Sequence, residues 1–115
     1  MEEQQGKSEE LQKAPATEIA FESDKWKARE GRDYPYRNAM LEDLMNSRQL
    51  VGDKGLRDLD REQILNLLGA PQREDNNHLF YGVEQKRLGL WPLHTRTLVI
   101  QLSEKNEVNW VRIHE

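Results

Sequence analysis

The groups in this sequence able to do chemistry are three histidines, a basic strip near residue 87, and two tryptophans set among apolar residues. His78, His94 and His114 are the candidate metal ligands. A structural zinc site closes with four N, S or O ligands, and the chain has no cysteine. His94 and His114 fall near one another in the strand register argued below, but no third and fourth ligand stand at a suitable spacing. No metal and no cofactor is expected. The carboxylates are scattered over helix faces and turns, so no pair is identifiable as an acid–base couple. Serines and threonines have no convincing His–Asp arrangement, and no catalytic residue can be named. Lys86, Arg87, Arg96 and Arg112 form the basic strip. On a chain of net charge -4 it reads as a solvated edge, and nucleic acid is not the expected partner.

Binding is the stronger expectation. In "RLGLWPLH" the residues Leu88, Leu90, Trp91 and Leu93 surround Gly89 and Pro92, in what the pattern makes a loop between two strands. Loop backbone is normally solvated and its residues polar, so an apolar cluster there marks either a contact site or a lid folded over the core edge. Trp110, with Val99 and Val108, forms a second apolar patch on one sheet face. Tryptophan is enriched at binding hot spots, although cross-strand neighbours can equally cover it. The candidate partner-binding residues are therefore Arg87, Leu90, Trp91, Leu93, Val99 and Trp110.

The elements that must hold these groups are marked by their ends and periods. "LDREQILNLLGAP", residues 59–71, is a helix with every end signal present. Asp60 can cap the first turn and Gln63 can reach back to it, a capping box. Leu59 and Ile64 are spaced as a hydrophobic staple, and Ile64, Leu65, Leu67 and Leu68 supply the buried face. Gly69 suits a left-handed stop and Pro71 forbids continuation, giving nine or ten helical residues. Upstream, "DYPYRNAMLEDLMNSRQL" puts Pro35 in a first turn and Met40, Leu41, Leu44 and Met45 on one stripe, with Glu42, Asp43 and Asn46 facing away. "FESDKWKARE" offers Ser23 as an N-cap and Phe21 and Trp26 as anchors on the core. After the polar "QREDNN", Leu79, Tyr81 and Val83 alternate as a strand, followed by strands in "TRTLVIQLS" and "EVNWVRIHE". Closing the last two through "EKNE" sets Leu98 opposite Ile113, Ile100 opposite Val111 and Leu102 opposite Asn109. The other face then carries Val99, Gln101, Val108, Trp110 and Arg112.

At 115 residues, with 36% hydrophobic and 33% charged, the chain has one domain's length but a thin apolar content. Residues 1–20 are read as a flexible tail and 21–115 as an α+β domain, with two helices packed on one face of a three- to four-stranded antiparallel sheet. No apolar run reaches the roughly 18 residues a membrane span needs. Met1 followed by Glu-Glu-Gln-Gln is not a basic then apolar leader.

The order of parts is similar to a known family. The capped helix ending "LLGAP", the strand "LFYGV", then "LVIQL", a turn and "VNWVRI" resemble the SmpA/OmlA (BamE-like) domain of small bacterial envelope lipoproteins. "FESDKW…R…MLEDLM…LVG" resembles uncharacterised proteins with that domain, and the likeness spans roughly residues 21–114. It implies helices on an antiparallel sheet, and a lipid anchor behind a flexible linker in a longer precursor. It also implies a non-enzymatic role in binding other envelope proteins, and the chain itself is expected to be a monomer or weak dimer. The membrane would then be touched only through the anchor, whose cysteine is not in this chain. The alternative is a cytoplasmic domain binding nucleic acid or a small ligand through the open sheet face. With the apolar face of this helix buried, Leu68→Ala should cost about 2–5 kcal/mol in urea unfolding, the range for a truncated core leucine.

Overall fold

The structure, a computed structural model, describes residues 18–88 and 91–115, with side chains described outside 85–94. Three α-helices precede the sheet: α1 (Ser23–Lys27), α2 (Arg37–Asn46) and α3 (Arg61–Leu68), with a 3-10 turn at Leu56–Asp58. Four strands follow: β1 (Arg73–Asp75), β2 (His78–Leu88), β3 (Trp91–Leu102) and β4 (Val108–His114). They form an antiparallel meander in the order β1-β2-β3-β4. The fold is α+β, with the helices on one face of the sheet. Leu79, Tyr81, Leu98, Ile100 and Val111 meet Trp26, Met40, Leu44, Leu59, Ile64 and Leu68 in the core. Leu98 pairs with Ile113 and Ile100 with Val111, the register that apolar alternation predicts.

Helix α3 keeps nearly all its end groups satisfied. The capping box is complete, with Gln63 N–H donating to Asp60 Oδ1 at 2.9 Å and Asp60 N–H to Gln63 Oε1 at 3.0 Å. Arg61 N–H donates to the Asn106 carbonyl at 2.8 Å, which docks the helix start on the β3–β4 turn. At the other end, carbonyls left without an intrahelical donor need partners from outside. Lys27 Nζ donates to Asn66 O at 2.8 Å and Ser23 Oγ to Leu67 O at 2.6 Å, so α1 serves as the C-terminal cap of α3. This corrects the expectation for Ser23. The N-cap of α1 is Glu22, and the Ser23 hydroxyl is spent on another helix. Tyr81 Oη–H donates to Gly69 O at 2.7 Å, and burial pushes its phenol well above the ordinary tyrosine range.

Other local expectations shift. α3 has eight residues, with Ile64 and Leu68 buried and Leu65 and Leu67 half-buried. Gly69 has φ 83° and ψ -169°, a region open to glycine but different from the left-handed helical one. Pro35 lies in the turn before α2, which begins at Arg37 behind Tyr36. Contact with α2 begins as early as Ile19, whose N–H donates to Ala39 O at 3.0 Å. "QREDNN" is not simply a polar loop. Asn76 and Asn77, both at positive φ (54° and 65°), close a tight hairpin that makes Arg73–Asp75 an edge strand.

The expected loop "RLGLWPLH" is strand over most of its length. Arg87 pairs with Pro92 and Leu88 with Trp91, so only residues 89 and 90 connect β2 to β3. A register shift beside Pro92 lets the hairpin accept a residue that has no N–H to give the ladder. A second shift places an extra residue, Val83, between Gly82 and Glu84, and a third displaces Asn109. Leu102 therefore faces Val108 instead of Asn109, and Val108 packs on the core side instead of the open face.

Arg37 is the group that sequence reading did not single out. It is 3% exposed, with Nε donating to Trp26 O at 2.7 Å and Nη1 to Gly82 O at 2.8 Å. Its guanidinium lies 3.4 Å from the Tyr34 ring centre and 4.8 Å from that of Trp26. Burial lowers its pKa to about 10, which leaves it a cation at neutral pH. Arg37→Ala should destabilise by about 2–6 kcal/mol in urea unfolding, from about 1–3 kcal/mol for each carbonyl left without a donor. Arg37→Lys should recover less than half of that loss, because a single ammonium cannot reproduce the fork.

Candidate functional site

The open face of the sheet is built from the odd–even alternation of its strands. Reading the pairings across all four strands gives rows of side chains that share this face. One row is Arg73, Phe80, Val99 and Arg112, and the next is Asp75, His78, Gln101 and Trp110. A third is Gly82, Thr97 and His114. Each row lies about 6.7 Å from the next, two residues along a strand. Phe80 and Val99 thus sit on the two inner strands, with Arg73 on one edge strand and Trp110 and Arg112 on the other.

Ring contacts tie the rows together. The His78 ring lies 6.2 Å from Phe80 in a stacked arrangement, and 5.5 Å from Trp110 edge-on. His78 Nδ1–H donates to the Asn76 carbonyl at 2.8 Å, which fixes the ring's orientation from the β1–β2 turn. Arg73 sits 4.2 Å from the Phe80 ring centre and Arg112 4.6 Å from that of Trp110. Phe80 and Trp110 are half-buried, Arg73 and Arg112 exposed, and Val99 only 7% exposed beneath them. Around this cluster lies a shallow groove of about 550 Å³ with Phe80, Val99 and Thr97 lining it, and Arg73, Arg112 and His114 also on its walls.

Gln72 lines the groove beside Arg73. Gln72 N–H donates to Phe80 O at 2.8 Å, and the Gly82 N–H donates to the Gln72 side-chain oxygen. A Cβ at position 82 would meet the end of the Gln72 side chain, which would have to swing aside. Asn109, displaced from the ladder, donates through Nδ2 to Gln101 Oε1 at 2.6 Å. A second cleft of about 390 Å³ lies between Tyr34, Asn38, Gly82 and Arg96. Arg96 donates to Asn38 Oδ1 at 2.6 Å and to Glu115 Oε2 at 2.8 Å, and Tyr34 covers Arg37.

Of the residues expected to bind a partner, Val99 and Trp110 stand on this face in adjacent rows. Val99 is a covered floor, not an exposed patch. The backbone of Arg87, Trp91 and Leu93 runs in the β2–β3 hairpin arm; their side chains lie outside what is described, as does Leu90 altogether. Arg73, Phe80 and His78 were missed. Phe80 follows from parity, since Leu79 and Tyr81 on either side of it face the core. Arg73 follows once Asn76-Asn77 is read as a hairpin turn, which puts it opposite Phe80. His114 is exposed opposite Thr97. Among the described residues, no three His, Cys, Asp or Glu groups are placed to hold a metal.

The chain matches no protein-family model, no curated protein and no solved structure. The class of protein is defined by the fold alone: an α+β domain whose helices roof one side of a four-stranded meander and leave the other side open. The two sides should behave differently on truncation. Leu79→Ala should cost about 2–5 kcal/mol, as a core leucine does. Phe80→Ala, one residue away, should cost only about 1–2 kcal/mol, for one cross-strand pair and one cation–π contact. Equal losses of the two urea midpoints would mean that the open face is buried core.

Proposed function

We propose that this chain is a non-enzymatic interaction module of the bacterial cell envelope, the soluble part of a lipoprotein, holding another envelope protein against the open face of its sheet. The observation that carries the binding half is the aromatic and arginine surface of Phe80, Trp110, Arg73 and Arg112 around a groove of about 550 Å³. The core residues of the helices pack on the opposite face, so these rings stand outside the main core. Aromatic residues and arginine are the types enriched where proteins bind one another. The envelope half rests on the resemblance of "LLGAP", "LFYGV" and "VNWVRI" to the SmpA/OmlA domain. On this reading the lipid anchor is carried outside the 115 residues given, which include no cysteine. Among the described residues no helix is long and apolar enough to cross a membrane.

A second reading uses the same face. Two arginines beside aromatic rings also suit a planar or anionic ligand, such as a nucleic-acid strand, in a cytoplasmic domain. In-cell photocrosslinking separates the two. A photoreactive residue at Thr97, on the open face, should give adducts with one envelope protein, and one at Glu62, on α3, should not. Phe80→Ser together with Trp110→Ala should abolish the Thr97 adduct. Equal adducts from both positions, or nucleic-acid adducts from Thr97, would overturn the proposal.

A further inference from the structure

The charge on the open face is arranged, not scattered. Arg73 and Arg112 end the same row on the outer strands, with Phe80 and Val99 between them. Three strand spacings of about 4.8 Å put their Cα atoms about 14 Å apart. Arg73 leans inward over Phe80 and Arg112 leans along its own strand over Trp110. An extended peptide advances about 3.3 Å per residue, so side chains four residues apart, on the same side, span about 13 Å. Midway between them, a third side chain on that side would meet Phe80 and Val99.

We propose that the open face binds an extended acidic peptide segment of a partner protein, with an apolar side chain on Phe80 and Val99 and a carboxylate two residues to either side on Arg73 and Arg112. This rests on the binding-module reading and names the chemistry of its partner. The segment lies along the row, across the strands. Each guanidinium offers a carboxylate two parallel N–H donors, a pairing that a point charge cannot imitate. The match is one of charge as well as spacing: the face presents two arginines on a chain that is otherwise acidic, with net charge -4.

A nucleic-acid strand fits the same face less well. Asp75 stands in the neighbouring row beside His78 and opposes a continuous phosphate backbone. An acidic chain also repels a long polyanion more strongly than a segment with two carboxylates, each paired with an arginine of the row.

The test is a nitrogen-15 NMR titration of the full chain with acetylated, amidated Gly-Asp-Thr-Leu-Thr-Asp-Gly. Expected are saturable shifts at the amides of Phe80, Val99 and Arg112 and at the Trp110 indole. The peptide with both Asp replaced by Asn should bind at least tenfold more weakly, as should Arg73→Gln/Arg112→Gln with an unchanged melting temperature. Raising salt from low to high should weaken binding of the acidic peptide only. Absence of shifts at millimolar peptide, equal affinity of the Asn peptide, or tighter binding of an eight-nucleotide oligothymidylate at this face would each overturn the proposal. If the peptide fails while the Thr97 crosslink still depends on Phe80 and Trp110, only the acidic chemistry falls. If both fail, the binding-module reading falls with it.

Discussion

The fold is held at one point by a buried guanidinium. Arg37 adds polar bonds between three elements that also share the apolar core: the carbonyl of Trp26 in α1, its own helix α2, and the carbonyl of Gly82 in β2. Burying a cation is costly unless its donors are met, and here two backbone carbonyls and two ring faces meet them. Both carbonyls are ones that regular structure leaves in need. Trp26 lies in the last turn of a five-residue helix, and Gly82 stands next to the residue that interrupts the β2–β3 ladder. A planar fork reaches both at once. With α1 fixed this way, Ser23 and Lys27 are placed to cap α3, and Arg61 at the far end of α3 reaches Glu74 on the edge strand at 2.7 Å. That ion pair is exposed and contributes little energy, but it keeps β1 in line beside β2.

What could be read from the sequence was local, and what could not was made by tertiary contact. Helix α3 was legible almost to the residue, because Asp60, Gln63, Leu59, Ile64 and Pro71 do their work within one short stretch. The pairing of Leu98 with Ile113 and of Ile100 with Val111 was legible because one face had to be apolar on both strands. It failed at Leu102, because an extra residue at Asn109 reverses the alternation, and nothing about Asn109 alone announces a bulge. β1 was illegible for another reason. Arg-Glu-Asp has no apolar alternation, and only the pair of asparagines at positive φ makes it a strand. Arg37 gave no signal at all, since an arginine beside an apolar helix stripe reads as a solvated one.

The candidate site was half legible for the same reasons. Val99, Trp110 and Arg112 follow from β3–β4 parity, and they do share a face. The expectation that "RLGLWPLH" would be a loop confused apolar content with irregular structure. Leucines separated by glycine and proline can continue a hairpin when the ladder shifts beside the proline, as it does between Lys86 and Arg87.

The irregularities also decide how large the open face is. Beyond Val83, Glu84 pairs with Arg96 on the helix side, where Arg96 reaches Asn38 of α2. Beyond Asn109, Val108 turns into the core and donates its N–H to Leu59 O at 2.9 Å. Strict alternation therefore survives only between the two bulges, in the three rows that carry Phe80, Trp110 and their arginines. Within that window half-exposed rings are a liability for a chain in water, since exposed apolar surface invites unwanted association. The guanidiniums of Arg73 and Arg112 lie against the rings and shield them while keeping their own charge solvated. A surface so arranged can stay dispersed when alone and still offer both ring and cation to a partner, because what covers the rings is itself a binding group.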